Sequence, residues 1–386
     1  MSNLGTRNNL LLTKIESTPG TFETMAATAD AIAVEGLNPP TPNAITIPDN
    51  SAQASLDGLG TEVGGMTMQT TFTAKLKGSG SAGVAPELGT LLRICGYREV
   101  VVAAAVPVSP EACAAAGGSQ IAAVLGASAS ATADAYLGMP VEFSGDSSGI
   151  GHIIDYTSGK VATLAQSFQN VFDDGVDYQI LPAVAYLPSS TAIPAASLRQ
   201  YHDGVHWDLT GVRGNVSFAW TAGQTAVATF TLNGMFHDKG DLAVPSDAVF
   251  DSVRAPIWKN GEALLDRSAV AINEFSVDTG IQGAFDPNPN QLEGFDPYVH
   301  TQRLITGSID PNASLVATRD AFADFRGGTE RIFLARAGAV AGNRVAMMVP
   351  KMRYQNVTPG DRSGRRTDQI SFEAIGQDNG IALVVY

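Results

Sequence analysis

The chain has 386 residues and a formal net charge of −14; 44% of its residues are hydrophobic and only 16% are charged. This length is sufficient for two or three domains with substantial cores, and 40 glycines with 20 prolines favour a turn-rich β protein over one built from long helices. The acidic balance excludes a protein that grips nucleic acid through its phosphates, because such binding needs clustered Lys and Arg.

Cysteine content and the N-terminal sequence indicate the compartment. Cys95 and Cys113 are too few for a disulfide framework or a four-ligand zinc site, which favours a reducing compartment. The N-terminal residues lack the cationic start and long apolar run of a signal peptide, and no later stretch approaches a membrane span. We therefore expect a protein that is neither exported through a signal peptide nor embedded in a membrane.

Residues 1–27 form a polar N-terminal segment with one apolar group, Leu10, Leu11 and Leu12. A frayed terminus and an arm that docks on a neighbouring copy both fit this pattern, because three adjacent leucines need a groove. Prolines within residues 32–48 then predict one strand followed by a loop.

A strand and a helix follow. Residues 66–77 alternate between apolar side chains and a face of Thr, Gln and Lys, which predicts a strand. Residues 86–95 predict a short helix, since Leu88 and Leu91 have helical spacing and Gly96 can cap the C-terminus.

Residues 214–236 predict a hairpin, with a turn at 222–224 and alternating faces on both strands. One face is apolar and includes Val216, Phe218 and Phe230. The other is small, hydroxyl-rich and uncharged, where a solvated face would carry Lys and Glu. This polar side consists of Asn215, Ser217, Thr221, Thr225, Thr229, Thr231 and Asn233, with Ala219 and Val227 between them.

Residues 103–190 begin as an Ala-, Gly- and Ser-rich segment. Strand-like patterns then occur at 139–143, 150–156, 161–164 and 177–187. Short strands separated by Ser, Gly and Asp turns predict a small β-domain inserted in a loop, as an outward decoration.

Residues 241–300 hold ten acids and three bases, with Asp-Pro and Asn-Pro pairs that predict mostly loop. After them, a helix is predicted at 315–325 with Leu315, Phe322 and Phe325 facing inward. Strands are predicted at 304–309, 331–337, 345–350, 369–375 and 381–386.

The second series of elements has the order of the first, which indicates an internal duplication. The predicted fold is mainly β, with two tandem β-sandwich or barrel domains, each with a short flanking helix, plus the small inserted β-domain. The boundaries are 1–27 for the arm, 28–102 with 191–260 for the first domain, 103–190 for the insertion and 261–386 for the second domain.

Motifs for catalysis are scarce. His202 and His206, with Asp203 and Asp208, superficially resemble a metal-ligand cluster. Two histidines four residues apart bind one metal ion when they lie on a helix. Gly204 and the strand-like flanking sequence argue against a helix here, and no third ligand is obvious. The sequence also lacks a phosphate-binding loop, a nucleophile elbow and a cysteine with a histidine partner. We expect no metal, no cofactor and no enzyme activity.

Residues 351–366 are basic within an acidic protein. A solvated loop and a docking loop for an acidic segment of another copy, such as 241–300, are the two interpretations. The basic residues are Lys351, Arg353, Arg362, Arg365 and Arg366, against the single acid Asp361.

Five segments carry a resemblance to a known family: TKIESTPGTF, MTMQTTFTAKLKG, APELGTLLRICGY, GNVSFAWTAGQTAVATFTLNGMF and ITGSIDPNA. In this order they resemble the tail tube (major tail) proteins of long-tailed bacteriophages with flexible, non-contractile tails, the siphophages. The resemblance spans most of the chain and is weakest in the inserted domain.

The resemblance implies a structural virion protein that self-assembles in the bacterial cytoplasm into stacked rings of the virion tail, the conduit for genome ejection. A duplicated chain would form homotrimeric rings with pseudo-sixfold symmetry, and an unduplicated one homohexamers. The implied partners are other copies of the chain, the tape measure protein, double-stranded DNA in the lumen without specific binding, and the tail terminator and tail-tip proteins, with no membrane.

A wall along which DNA slides needs neither cations that pin phosphates nor apolar patches that stick. The predicted lumen-lining residues are therefore Thr67, Gln69, Thr71, Thr73, Asn215, Ser217, Thr221, Thr225, Thr229, Thr231 and Asn233. Lys75 and Lys77 interrupt this pattern and are expected near the rim. The predicted contacts between rings are Leu10, Leu11, Leu12, Arg362, Arg365 and Arg366.

Two other classes remain open. A capsid decoration or receptor-binding β-sandwich would expose aromatic or charged residues on the faces assigned to the lumen. A carbohydrate-active or metal-dependent enzyme would use His202, His206 and nearby acids, and metal analysis of the purified protein would detect it.

Overall fold

The computed structural model describes residues 5, 7–54, 57–291 and 293–386. These residues form a mainly β protein, as predicted, with short helices α1 (Ala27–Asp30), α2 (Gly89–Ile94) and α3 (Ala321–Gly327). None of the helices in these ranges has the length and apolar character needed to cross a membrane.

The strands fall into three groups along the chain. The first comprises β1 (Asn9–Ile15), β2 (Ala31–Ile32), β3 (Thr41–Pro48), β4 (Thr61–Lys75) and β5 (Tyr97–Val102). The second comprises β6 (Val106–Ala112), β7 (Ala122–Val124), β8 (Pro140–Gly145), β9 (Gly149–Tyr156), β10 (Val161–Leu164) and β11 (Val176–Ile180). The third comprises β12 (Ala183–Pro188), β13 (Ala196–His202), β14 (Val205–Thr221), β15 (Val227–Asp241), β16 (Glu262–Leu265), β17 (Ser268–Ala269), β18 (Glu274–Asp278), β19 (Ile281–Ala284), β20 (Val299–Arg303), β21 (Thr306–Ile309), β22 (Glu330–Ala337), β23 (Val345–Arg362), β24 (Arg365–Ala374) and β25 (Ala382–Val385).

One antiparallel sheet runs through both halves of the chain. Its central order is β3, β4, β15, β14, β18, β21, β24, β23, each strand paired with the next. A single cluster of buried residues, from Leu11 to Leu383, packs beneath both halves. The two predicted tandem domains therefore share one sheet and one core.

The same local order of strands occurs twice in this sheet. β4 pairs with β15, which pairs with β14, and β21 pairs with β24, which pairs with β23. A short helix and a further strand follow β4, as α2 and β5, and follow β21, as α3 and β22. Gly96 ends the first helix with φ +76°, the left-handed conformation of a glycine cap.

The predicted hairpin at 214–236 is confirmed and extends beyond the predicted bounds as β14 and β15. Val216, Phe218, Trp220 and Phe230 are at most 1% exposed, while the residues between them are half-buried. The strict alternation follows from the period of two along a strand with one face on the core.

The N-terminal arm is a strand of the main sheet, which corrects the prediction for Leu10, Leu11 and Leu12. β1 pairs with β13 along its whole length, and the three leucines are 5%, 0% and 1% exposed. Leu11 joins the main core and the other two pack with Tyr201. Their groove lies in the same chain, so these side chains are buried away from any contact between rings.

The inserted region forms its own sheet, in the order β6, β11, β8, β9, β10, β7. The segment predicted as one strand at 177–187 is two strands in different sheets, because Leu181 and Pro182 break it and β12 pairs with β5 and β25. The insertion is also no detached decoration. Its core includes Leu334, Met348 and Val384 of the main sheet.

The acidic 241–300 segment is mostly loop, as predicted, and also contains β16 to β19 and the start of β20. Two further predictions are corrected. The region after Pro39 is the strand β3, where proline is tolerated because β3 pairs only with β4 among the described strands. Residues 351–366 belong to the long β23–β24 hairpin and not to a loop.

The second helix is shorter than predicted. α3 begins at Ala321, and the N-cap residue before it, Asp320, accepts a hydrogen bond from the Ala323 N–H through its side chain. Leu315 therefore lies before the helix, 79% exposed, and Phe322 is 58% exposed. Both were predicted to face inward. Phe325 does pack against the core.

Candidate functional site

The predicted lumen-lining residues of β4, β14 and β15 lie in cross-strand rows on one side of the main sheet, here called the polar face. Thr231 pairs with Thr71 and with Asn215, and Thr229 pairs with Thr73 and with Ser217. Side chains of directly paired residues point to the same side of the sheet. The rows therefore place these hydroxyl and amide groups side by side above a core that contains Phe72, Phe218 and Phe230.

Thr67 departs from this arrangement. It is only 8% exposed, and its hydroxyl donates to the Asn43 carbonyl of β3 at 3.4 Å. Gln69 and Thr71 are exposed and the remaining predicted residues are half-buried. Ten of the eleven predicted residues are thus accessible on the polar face, and Thr67 is covered by the neighbouring strand.

The polar face continues across the second half of the sheet, which the sequence prediction missed. Ser217 pairs with Asp278, which pairs with Thr306, which pairs with Glu373. The next row continues from Ala219 in the same way. Its further members are Ser276, Ser308 and Ser371. The sequences EFSVD and QISFE do alternate between apolar and polar residues, which is the pattern of a strand. However, β18 lies in the 241–300 segment, which was predicted as loop from its acidic charge and its prolines.

Three pairs of side chains on the polar face bond to each other. The Gln69 amide donates to Asn233 Oδ1 at 3.1 Å, and Asn215 Nδ2 donates to Asp278 Oδ1 at 2.7 Å. The hydroxyls of Ser276 and Ser308 are 2.8 Å apart. These pairs take up hydrogen-bonding capacity that a passing ligand would otherwise use.

Cations at the margins of the polar face are neutralised. Lys75 Nζ lies 2.7 Å from Glu35 Oε1, and an Arg353 Nη2 lies 3.4 Å from Glu330 Oε1. Arg213, on the same side of β14, donates to three backbone carbonyls. Lys77 is turned inward, with its ammonium 3.0 Å from the Glu87 carboxylate.

Acidic groups on this face are more open. Glu274 and Asp278 of β18 are exposed, and Glu373 accepts a hydrogen bond from Gln355 at 2.9 Å. The electrostatic character of the face is therefore uncharged over β4 and β15 and acidic over β18 and β24.

The polar face is hollowed at its centre. An open depression of about 500 Å³ lies between β14, β18, β21 and β24. Its lining includes Ser217, Ser276, Thr306 and Ser371.

The three arginines predicted to contact another ring are not equivalent. Arg362 bonds to Asp310 at 2.6 Å within the chain, so it stabilises the base of the hairpin tip. Arg365 and Arg366 are exposed. Only these two remain accessible candidates for contact with a partner.

The cysteines are free and buried, and burial raises the pKa of the Cys113 thiol to about 12, with Asp177 and Asp173 adding to the increase. The His202 ring is 3.2 Å from Gln200 Oε1, while Asp203 accepts from the Gly5 N–H and from Asn8. His202 and Asp203 are thus engaged separately from His206 and Asp208.

No protein-family model matches the sequence, and comparison with curated proteins finds no significant match.

Proposed function

We propose that the chain is a structural subunit of a phage-type tail tube, which self-assembles into stacked rings around a channel for DNA. The observation that carries the proposal is the polar face: a hollowed surface of hydroxyl, amide and acidic groups, with its cations paired, that spans seven strands of one sheet. An ordinary solvated sheet of this size would carry many unpaired lysines and glutamates.

The chemistry of this face suits the passage of a polyanion. DNA adheres to a protein surface through Lys and Arg that displace its counterions. Lys75 and Arg353 are each held by a glutamate, and the open charges of Glu274 and Asp278 repel phosphate. Such a wall lets the duplex slide, since it offers no unpaired cationic anchors.

The central order of the sheet ends in two open edges, which supports assembly. Among the described strands β3 pairs only with β4, and residues 354–362 of β23 pair only with β24. Unpaired edges of this kind are templates for pairing with another chain. The outer edges lie at opposite ends of the central order, as head-to-tail contact between copies in a ring requires.

The two ends of the sheet also have opposite charge. The ribbon of β3 and the start of β4, residues 41–66, carries Asp49, Asp57 and Glu62 and no basic residue. The β23–β24 hairpin carries the exposed Arg365 and Arg366. Complementary charge of this kind favours contact between unlike ends of two copies over contact between like ends.

The repeated strand order favours homotrimeric rings. If β4–β15–β14 and β21–β24–β23 each form one wall segment, three chains supply six segments with pseudo-sixfold symmetry. A ring of six chains is the alternative.

Negative-stain electron microscopy of the purified chain over a concentration series tests the proposal. We expect hollow rings or tubes that lengthen with concentration, and class averages that show three inserted domains per ring rather than six. Uniform compact particles at every concentration, also after addition of tail-tip components as assembly initiator, would contradict it and favour a decoration or receptor-binding protein.

A further inference from the structure

His206, Asp208 and Asp238 form a mixed cluster of one imidazole and two carboxylates, far along β14 and β15 from the centre of the polar face. The His206 Nε2 atom lies 3.4 Å from Asp238 Oδ2 and 3.8 Å from Asp208 Oδ2. One donor atom from each of the three residues lies within 4.8 Å of the other two.

Strand register brings the three side chains together. Asp208 pairs directly with Asp238, and His206 pairs with Gly240. His206 and Asp208 are two residues apart on one strand, so they point to the same side of the sheet. Gly240 leaves room for the ring, because a Cβ at this position would lie 3.0 Å from His206 Cε1.

The imidazole is positioned by its contacts with the two carboxylates. His206 is 8% exposed, and within the described residues its Nδ1 atom is buried without a partner. The Nε2 atom is directed between two carboxylates without a hydrogen bond to either. A cation held between Nε2 and the two carboxylates accounts for the direction in which the ring points, because it would offset two negative charges that face one nitrogen.

We propose that His206, Asp208 and Asp238 bind one divalent cation of the zinc class. Ligand atoms at about 2.0–2.1 Å from a tetrahedral zinc lie about 3.4 Å apart, close to the separations between the imidazole and the carboxylates. A nitrogen with two carboxylate oxygens suits zinc better than calcium, which takes six to eight oxygens.

Arg199 fixes the orientation of the Asp208 carboxylate. Its Nε donates to Asp208 Oδ1 at 2.6 Å and its Nη2 donates to Oδ2. Each carboxylate oxygen has two lone pairs, so Oδ2 retains one for a metal. Hydrogen-bonded carboxylates of this kind are common around protein metals, where the outer partner fixes the ligand's orientation.

Asp238 gives access to the site. Its side chain is 63% exposed, whereas those of His206 and Asp208 are 10% and 2% exposed. A cation therefore enters from the Asp238 side, and the fourth position is left for water. This inference is independent of the proposed tube function, because it concerns metal binding by the single chain.

Isothermal titration of zinc into the full-length chain tests the inference, with Asp238→Asn as the variant and Asp241→Asn as the matched control. Asp241 is an exposed acid on the same strand outside the cluster. We expect one zinc per chain for the wild type and for Asp241→Asn, and at least about tenfold weaker binding for Asp238→Asn. Magnesium and calcium should give no saturable signal.

X-ray absorption at the zinc edge provides a second readout. We expect nitrogen and oxygen ligands with one imidazole signature, and no sulfur. Absence of saturable zinc binding in the wild type, equal affinities for the two variants, or a sulfur ligand would each overturn the proposal.

Discussion

Thr229 lies at the centre of the polar face, between Thr73 on β4 and Ser217 on β14. Its side chain is half-buried, and its neighbours are uncharged. The nearest acids in its cross-strand row, Glu35 and Asp278, are each two strands away. They are already bonded to Lys75 and Asn215, so a single cation added at this position would exceed the acids that neutralise the existing ones.

Thr229→Lys should therefore make assembled protein retain DNA. We expect a stability loss below about 1 kcal/mol, since one end of the long side chain can reach solvent, and DNA binding that weakens steeply with salt. Thr229→Ser is the matched control and should behave as the wild type. Salt-dependent fluorescence anisotropy with labelled duplex gives the measurement, and equal retention by both variants would argue against the lumenal assignment.

His152 is a buried histidine at the contact of the insertion with the main sheet. Burial lowers its pKa to about 3, the positive charge of Arg336 adds to the lowering, and a hydrogen bond with Gln166 opposes it. The Tyr386 ring packs at 5.4 Å between centroids. The folded protein therefore keeps this ring neutral over the pH range in which an exposed histidine is charged.

The wild type should lose stability as the pH falls below about 6.5. As the pH falls, this histidine binds a proton in the unfolded chain, where its pKa is about 6.5, before it does so in the folded chain. The free energy of unfolding therefore decreases by up to about 1.4 kcal/mol per pH unit down to about pH 3. His152→Gln should show a smaller decline between pH 6.5 and 5, measured by urea denaturation. The exposed His237→Gln serves as control, and matching pH profiles for the two variants would refute this account.

β1 is the element whose structure differs most from the sequence prediction. Its partner β13 is almost two hundred residues away in the chain, as Leu11 pairs with Gln200. No local pattern near Leu11 indicates this partner. For that reason the three leucines in a polar segment were interpreted as part of an arm that docks on a neighbouring copy.

Leu11→Ala should destabilise the isolated chain by about 2–5 kcal/mol, because it removes a fully buried side chain from the main core. Leu315→Ala, at a residue 79% exposed, should change the free energy of unfolding by less than about 0.5 kcal/mol. Denaturant unfolding of dilute protein measures both. If the Leu11→Ala monomer were as stable as the wild type, Leu11 would instead be assigned to contacts between copies.

Alternation predicted the strands that have one face on the core, and it failed elsewhere for identifiable reasons. Val216, Phe218 and Trp220 mark β14 without ambiguity. Leu315 and Phe322 were misplaced because a side-chain cap at Asp320, rather than apolar spacing, sets the start of α3. The second half of the polar face was missed because β18 has only five residues, and its place between β14 and β21 depends on non-local pairing.

At the scale of the whole molecule, the exposed tip of the β23–β24 hairpin is the clearest test of assembly. Reversal of charge at Arg365 and Arg366 should reduce ring or tube formation while leaving the chain folded, because both side chains are exposed. Arg98→Glu, at an exposed arginine on β5, is the control. Sedimentation velocity with circular dichroism separates assembly from folding, and unchanged assembly of the double variant would rule out the charge contact.

The two halves of the chain are joined along two seams, β14 with β18 and β12 with β25, over one shared core. Neither half can lose its structure without exposing strand edges and apolar surface of the other, so melting should be all-or-none. Differential scanning calorimetry should then record one endotherm whose calorimetric and van't Hoff enthalpies agree. In a tube under mechanical load each chain would then unfold as a whole. A chain with only one of its wall segments unfolded would not be populated.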